Sequence, residues 1–290
     1  SSLLKTPNLN EVSTIGDYAF EGCKMLSEIN NLNGCALFGA SIFTGCESLK
    51  KLDIRFDNDV NEFYISKFFS VSSDVIGNEN YYMFTNPDDT PSYVPNGLKE
   101  VTYNGTGKIP SYFMYGLSSV DTFKSLSTFN TSVGSSAFKG CTNLSSLIIK
   151  NSKIIYMGDY AFSGCSDLTK TPDLSNVSVI GDNAFENCTS MSKLQTSNSL
   201  NYIGNYAFSG CTSLLETPDL TNVTNIGNYA FENCVLISEL NNLNGNATLG
   251  ESIFAGCENI SKINITFNWN LEEFYLSSLF GINEKSSKFY

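Results

Sequence analysis

Apolar residues return along this chain in one fixed order. The stretch IGDYAFEGCKML at residues 15–26 comes back as MGDYAFSGCSDL at 157–168, IGDNAFENCTSM at 180–191, IGNYAFSGCTSL at 203–214 and IGNYAFENCVLI at 226–237. One such unit is too small to bury its own Ile, Ala, Phe, Cys and Leu side chains. Stacked units would bury them as continuous ladders of like residues, so the pattern predicts a repeat protein.

The cysteine of each unit gives the period. Successive cysteines from Cys141 to Cys257 lie 24, 23, 23, 23 and 23 residues apart, and Cys23 and Cys46 are also 23 apart. A fixed period of about 20 to 29 residues is typical of a leucine-rich repeat solenoid. We expect about ten or eleven coils, with a short parallel strand after each cysteine and an irregular or short helical arc before it. A recurring glycine, which lacks a Cβ, suits a tight turn before the arc; it is found at Gly16, Gly158, Gly181, Gly204 and Gly227.

A longer period lies on top of the short one. Residues 1–79 align with residues 212–290 at a constant offset of 211 without a gap, and about half of the positions are identical. Both ends fall inside repeats, so we predict a single solenoid over 1–290 that is an excerpt of a larger array. Uncapped ends would expose strand edges, which predicts end-to-end self-association. The period fails between Cys46 and Cys141, where three prolines in residues 70–97 predict an irregular surface loop.

These motifs resemble the BspA-like leucine-rich repeats of bacterial cell-surface proteins, which also occur in some parasitic protists. The resemblance rests on IGDYAFEGC followed by LxxL, and it covers nearly the whole chain. It implies a curved solenoid, a secreted or surface-attached location, and a role in adhesion to a host or neighbouring-cell protein or glycan. It brings no catalytic residues with it.

Composition removes several classes of function. The chain has 17 Lys and Arg against 29 Asp and Glu, a net charge of −12, which argues against nucleic acid and anionic membranes as partners. It has no His, which excludes serine triads, Cys–His proteases and His-containing zinc sites. No stretch approaches the roughly 18 apolar residues of a membrane span. We therefore predict no catalytic residue, no metal site, no cofactor and no direct membrane insertion.

Cysteines and clustered acids have structural explanations. Nine cysteines are too few for a disulfide scaffold, and we favour a ladder of buried, reduced thiols. Cys35 lies outside the repeat position and is the best candidate for exposure, although a core position is favoured for it too. Asp57 and Asp59 alternate as calcium ligands can, but solvated surface acids are favoured over a calcium loop.

Two groups of residues are candidates for contact with a partner. The first is an aromatic cluster around the irregular segment, which could equally pin that segment to the solenoid: Tyr81, Tyr82, Phe84, Tyr93, Tyr112 and Tyr115. The second is a row of outward strand residues, which could equally be a solvated face: Lys99, Glu100, Lys170, Lys193 and Lys262. The sequence thus favours a non-enzymatic recognition or adhesion module, with a structural spacer or fibre-like array element as the alternative.

Overall fold

The fold was analysed in a computed structural model that describes residues 2–69, 75–127, 130–149, 153–194, 198–267 and 276–281. The chain forms two compact units. Unit 1 holds residues 1–130 and 137–152, and unit 2 holds residues 131–136 and 153–290. Each unit consists of parallel β-solenoid coils, and together they hold about 11 turns with almost no helix. The predicted leucine-rich repeat solenoid with short parallel strands is confirmed; its extension as a single domain over 1–290 stays a prediction.

Short strands make up almost all of the regular structure. In chain order they are β1 (Lys5–Asn8), β2 (Thr14–Ile15), β3 (Glu28–Asn33), β4 (Leu37–Phe38), β5 (Lys51–Arg55), β6 (Tyr81–Thr85), β7 (Pro91–Pro95), β8 (Glu100–Asn104), β9 (Gly107–Ile109), β10 (Thr122–Ser125), β11 (Asn130–Val133), β12 (Ser146–Ile149), β13 (Tyr156–Met157), β14 (Val179–Ile180), β15 (Tyr202–Ile203), β16 (Asn225–Ile226), β17 (Glu239–Asn244), β18 (Thr248–Leu249) and β19 (Lys262–Thr266). A 3-10 helix spans Ile65–Phe68, and α1 spans Leu276–Leu279. Within the described residues, no helix has the length and apolar character that crossing a bilayer requires.

Strands from successive coils pair in parallel. In unit 1 the sheet runs β1-β3-β5-β8-β10-β12, and the register places Lys51 beside Glu100 and Glu100 beside Thr122. In unit 2 the two-residue strands β13, β14, β15, β16 and β18 pair in that order, and β17 pairs with β19. Residues one period apart therefore become neighbours.

A phenylalanine ladder fills the core of unit 2. The rings of Phe162, Phe185, Phe208, Phe231 and Phe254 stack with centroids 5.1–5.4 Å apart, and every ring is fully buried. Stacked aromatic pairs contribute about 0.5–1.5 kcal/mol each beyond the area they bury. The repeated phrase of the sequence is thus a packing unit.

A second ladder in unit 2 is polar. The Asp or Asn after each recurring glycine accepts a hydrogen bond from the backbone N–H of the equivalent residue in the next coil. Asp159 accepts from Asp182 at 2.9 Å, Asp182 from Asn205 at 2.7 Å, and Asn205 from Asn228 at 2.9 Å. The side-chain oxygens satisfy amides that the short strands leave unpaired.

The arcs are chains of tight turns and not helices. Each arc enters the left-handed region twice, as at Tyr206 (φ 54°) and Gly210 (φ 73°). A left-handed residue breaks the run of right-handed dihedrals that a helix needs, so the irregular arc is the correct alternative. Where the repeat reads ENC, Asn187 (φ 57°) takes the position of the second left-handed glycine, because Asn tolerates this conformation best among residues with a side chain.

The glycine before each arc in unit 2 serves close packing between coils. Gly204 does not have a positive φ, and a Cβ built on it would lie 2.6 Å from the Asp182 nitrogen and the Gly181 carbonyl carbon of the preceding coil. A side chain at this position would force the coils apart. Gly16 lies in the first coil of the sequence and has nothing within 4 Å of such a Cβ.

The predicted irregular loop over residues 70–97 is also corrected. Strands β6 and β7 form an antiparallel hairpin in unit 1, with Tyr81 opposite Pro95 and Thr85 opposite Pro91. Residues 70–74 lie outside the described residues. Proline is compatible with β7 because Pro91 and Pro95 occupy the non-hydrogen-bonded positions of the pair, where their missing N–H groups would point away from β6.

Candidate recognition site

The hairpin is fastened to the 3-10 helix by one buried amide. Asn86, only 3% exposed, accepts a hydrogen bond from the Ser66 hydroxyl at 2.7 Å. Its Nδ2 donates to the Thr90 carbonyl at 2.9 Å and to the Ser92 hydroxyl at 2.8 Å. Because the hydrogen-bonding groups of this buried amide are satisfied, the turn of the hairpin is held in one position on the solenoid.

Charge and aromatic contacts continue from the same turn. The Lys67 ammonium lies 2.8 Å from the Asp88 carboxylate and 4.5 Å from the ring centroid of Tyr64, and Tyr64 stacks on Tyr112 at 5.0 Å. Hydrogen bonds from Lys67 and Thr90 lower the pKa of Asp88 to about 2. Burial, with the Glu62 carboxylate nearby, raises the pKa of Tyr64 to about 12, so its hydroxyl keeps its proton.

Part of the predicted aromatic cluster comes together here. The ring of Tyr115 lies 6.0 Å from Tyr112 and 6.3 Å from Phe84, and Phe84 lies 6.2 Å from Tyr82. A Cβ on Gly116 would lie 2.5 Å from the Phe84 ring, so glycine at this position makes room for the hairpin. These contacts support the packing reading for Tyr82 and Phe84.

The other two predicted aromatics also lie on the hairpin. Tyr81 is 8% exposed, and burial raises the pKa of its hydroxyl. Tyr93 is half-buried, and its backbone N–H donates to the Phe69 carbonyl at 2.9 Å. A binding role for the six aromatic residues stays a prediction.

A cleft of about 500 Å³ opens between the hairpin turn and the coils of unit 1. Its floor is a cluster of phenylalanines: Phe38 lies 4.9 Å from Phe68 and 6.0 Å from Phe63. Its charged lining residues are Glu62, Lys67 and Asp88, and the remaining ones are Gly39, Ala40, Tyr64, Asn86, Thr90, Pro91 and Ser92. An apolar floor with a few convergent polar groups is the usual character of a ligand site.

The predicted strand face in unit 1 is paired internally. The Glu100 carboxylate lies 2.7 Å from the Lys124 ammonium and 3.9 Å from that of Lys51, and the Lys99 ammonium donates to the Ser119 carbonyl at 3.1 Å. Charges that neutralise one another within the sheet leave less attraction for a partner.

In unit 2 the predicted lysines belong to a column of charged residues spaced by 23. Lys170 and Lys193 lie side by side in an isolated parallel bridge, and both are exposed. Glu216 and Glu239 form a second such bridge, and Lys262 pairs with Glu239 at 3.1 Å. A partner-binding role for Lys99, Glu100, Lys170, Lys193 and Lys262 stays a prediction.

The cysteines form the expected ladder of free thiols. The Cys188 thiol donates to the Phe162 carbonyl at 3.2 Å, and the Cys211 thiol donates to the Phe185 carbonyl at 3.1 Å. Burial raises the pKa of Cys188 to about 12. Cys35 is exposed, which corrects the core position favoured for it from the sequence. Thiols with a raised pKa are poor nucleophiles and poor metal ligands, so the ladder is structural.

The contact of Asp57 fits a surface acid. Asp57 forms an ion pair with Arg55 at 2.8 Å, as expected of a surface acid. No group of three or more Cys, Asp or Glu with metal-binding geometry occurs within the described residues.

Sequence reasoning missed Glu62, Tyr64 and Lys67. All three lie in the segment NEFYISKFF, whose repetition at offset 211 was read only as a sign of the long period. Lys67 meets Asp88 21 positions further along the chain, and Tyr64 stacks on Tyr112 48 positions further along, so the hairpin segment that interrupts the period lies between the partners or contains one of them.

Several solved structures are similar to this chain. The crystal structure of a leucine-rich repeat protein from Bacteroides ovatus is 23% identical with a TM-score of 0.53, which shows the fold alone; the match covers 92% of this chain and 66% of that one, so the chain spans just under two thirds of its length. A T. pallidum leucine-rich repeat protein is 17% identical with a TM-score of 0.39, covering 74% of this chain and 79% of that one. A leucine rich cell surface protein from Faecalibacterium prausnitzii is 16% identical with a TM-score of 0.26, covering 98% and 91%.

No curated protein matches the sequence. The family model described as BspA type leucine rich repeat region matches in six copies over residues 2–84, 106–236 and 169–284. The chain therefore belongs to the BspA-type leucine-rich repeat family.

Proposed function

We propose that this chain is a non-enzymatic recognition module that binds a macromolecular partner, a protein or a glycan, at the cell surface or after secretion. The location follows the resemblance of its repeats to those of bacterial surface proteins. The non-enzymatic assignment follows the absence of His from the sequence and the buried packing role of the repeated Phe and Cys residues of unit 2.

The cleft beside the hairpin is the observation that carries this proposal. Repeated side chains are committed to ladders, and the unit 1 strand face neutralises its own charges. The hairpin interrupts the repeat, is fixed by the buried Asn86, and adds a lined cleft to the solenoid flank. Function in repeat proteins concentrates on such departures from the repeat, because per-repeat insertions cluster on a binding face.

The alternative is a structural spacer that projects another domain. The 211-residue super-repeat favours it, since tandem copies of one long unit extend an array without adding new surface. A spacer needs stability and no ligand, so substitutions in the cleft would change no binding affinity.

The test is a binding screen of the folded chain against extracellular-matrix proteins, mucins and a glycan array, with the heat-unfolded chain as control. Saturable binding that depends on the fold would support recognition. If a sample that circular dichroism shows to be folded binds nothing in the panel, the recognition function would be overturned in favour of the spacer.

A further inference from the structure

We infer that the cleft receives a basic side chain, arginine or lysine, from a partner protein, an inference that rests on the proposed recognition function. Three features of the cleft carry it: an aromatic floor, a carboxylate without an internal partner, and an example of a cation already held at its edge.

The floor suits the aliphatic stem of a long basic side chain. Phe38, Phe63 and Phe68 meet edge to face with centroids 4.9–6.0 Å apart, and Phe38 and Phe63 remain partly exposed in the chain alone. Lysine and arginine bury their methylene groups along apolar surface while the charged head stays at a polar rim. The faces of aromatic rings also attract cations.

The rim supplies the negative charge. Among the described residues, none forms an ion pair or a side-chain hydrogen bond with the Glu62 carboxylate, which is exposed at the edge of the cleft. Asp88 is ionised throughout the physiological range, and Lys67 is the cation among the lining residues. Two carboxylates against one ammonium leave the cleft net negative, and the charge of −12 on the whole chain would steer a basic partner toward it.

Lys67 shows how the cleft binds a cation. Its ammonium lies between the Asp88 carboxylate, at 2.8 Å, and the face of the Tyr64 ring, at 4.5 Å from the centroid. Glu62 and the phenylalanine floor offer the same combination of a carboxylate and aromatic rings. Among the described residues, no lysine or arginine side chain pairs with Glu62, so a cation from a partner could bind there.

A sugar fits this arrangement less well. Stacking of a sugar needs a broad open aromatic face, whereas Tyr64 is covered by Tyr112 and Lys67, and Phe38 and Phe63, although partly exposed, pack edge to face. The cleft volume of about 500 Å³ lies within the range of ligand sites, roughly 300–1,000 Å³, and accommodates one long side chain with its flanking residues.

The probe is an acetylated, amidated peptide, Ala-Leu-Arg-Leu-Ala, compared with its citrulline twin, which keeps the shape of arginine and removes its charge. Amide shifts of the ¹⁵N-labelled full chain are followed at millimolar peptide. We expect saturable shifts over residues 62–68 and 86–92, and binding about tenfold weaker for the citrulline peptide, since charge-assisted hydrogen bonds account for a difference of this order. Equal shifts from both peptides, shifts confined to other residues, or no shifts would overturn the inference.

Two variants locate the contact. Glu62→Gln should weaken arginine-peptide binding about tenfold, whereas Glu21→Gln, the same charge change at an exposed site elsewhere in unit 1, should leave it unchanged. Phe38→Leu removes part of the floor and should weaken binding about threefold. It is compatible with the fold because Leu249 occupies the equivalent position at offset 211. Unchanged affinity in both cleft variants would contradict the assignment.

A third experiment asks whether the bound cation is a side chain of a partner protein or a free amine. If free spermidine binds as tightly as the peptide and depends equally on Glu62, the cleft takes a small amine and the partner-protein assignment is wrong. The screen above distinguishes the two proposals: fold-dependent binding that maps away from the cleft would leave recognition standing and refute this inference alone.

Discussion

Substituting alanine for two equivalent glycines should change the stability of the fold very differently in their two coils. Gly16 and Gly227 are equivalent at offset 211 and share the context IG(D/N)YAF. A Cβ on Gly16 would meet nothing within 4 Å, whereas a Cβ on Gly227 would lie 2.6 Å from the Gly204 carbonyl carbon. The crowding atom is backbone and cannot rotate away. The Asn205 backbone nitrogen would lie closer still. Ordinary contact begins at 3.4 Å, so the coils would have to separate locally by at least about 0.8 Å, the difference between 3.4 and 2.6 Å.

That separation sets the magnitude of the effect. It would stretch the hydrogen bond from the Gly227 N–H to the Ile203 carbonyl, now 2.8 Å, and the bond from the Asn228 N–H to Asn205 Oδ1, now 2.9 Å. Two bonds at about 1 kcal/mol each, together with overpacking of about 1–3 kcal/mol, predict that Gly227→Ala costs about 3–5 kcal/mol. Gly16→Ala should be neutral or stabilise by up to about 1 kcal/mol, because it lowers the entropy of the unfolded chain.

The assay is urea unfolding followed by circular dichroism, with hydrogen exchange read by mass spectrometry over residues 200–235 and 12–45. Exchange assigns the loss to the coil that carries it, since a solenoid need not unfold in one step. Equal effects of the two substitutions, or a neutral Gly227→Ala, would refute close packing as the reason for the glycine.

Three further outcomes follow from the contacts. Asp182→Ala should cost about 1–2 kcal/mol and speed exchange of the Asn205 amide, since that amide loses its acceptor, whereas Asp182→Asn should stay within about 0.5 kcal/mol of wild type; equal losses in both would contradict the ladder. Because the folded pKa of Asp88 is lowered to about 2, below its unfolded value near 4, its ion pair stabilises the fold above pH 4 and is lost between pH 4 and 2. Lys67→Met should therefore destabilise at pH 6 by less than about 1 kcal/mol, the range of exposed pairs, and the difference from wild type should shrink between pH 4 and pH 2 to what the contact of Lys67 with the Tyr64 ring contributes; a difference of the same size at pH 6 and pH 2 would exclude the ion pair as a source. Iodoacetamide at pH 8 should modify Cys35 in the folded chain and leave the seven buried cysteines unmodified until unfolding, and rapid alkylation of those seven would refute the buried thiol ladder.

The sequence predicted the part of the fold that the period controls. Residues spaced by 23 become neighbours in a solenoid, so the Phe and Cys ladders and the short strands such as Ser146–Ile149 could be read directly. The reason for the recurring glycines could not be predicted from the sequence, because it depends on how closely the backbones of neighbouring coils approach each other in three dimensions. The hairpin was not predicted, because Pro91 and Pro95 would interrupt a central strand. They are compatible with the outer side of a two-stranded sheet, where no ladder hydrogen bond is lost.

The candidate site was predicted only in part. Tyr112 and Tyr115 were selected for their place beside the aperiodic segment, and they do lie beside the hairpin contacts. Glu62 and Lys67 carry no sign of their role along the sequence, because the cleft forms only when the 3-10 helix and the hairpin turn pack together.

The central claim is that the repeats provide the scaffold and the hairpin cleft provides recognition. Its most direct test is a hydrogen-exchange footprint of the full chain with the partner that the binding screen identifies. The account predicts protection concentrated at residues 62–68 and 86–92, reduced in Glu62→Gln and retained in Glu21→Gln. Protection along the strand residues around Lys170 and Lys193, with none at the cleft, would contradict it.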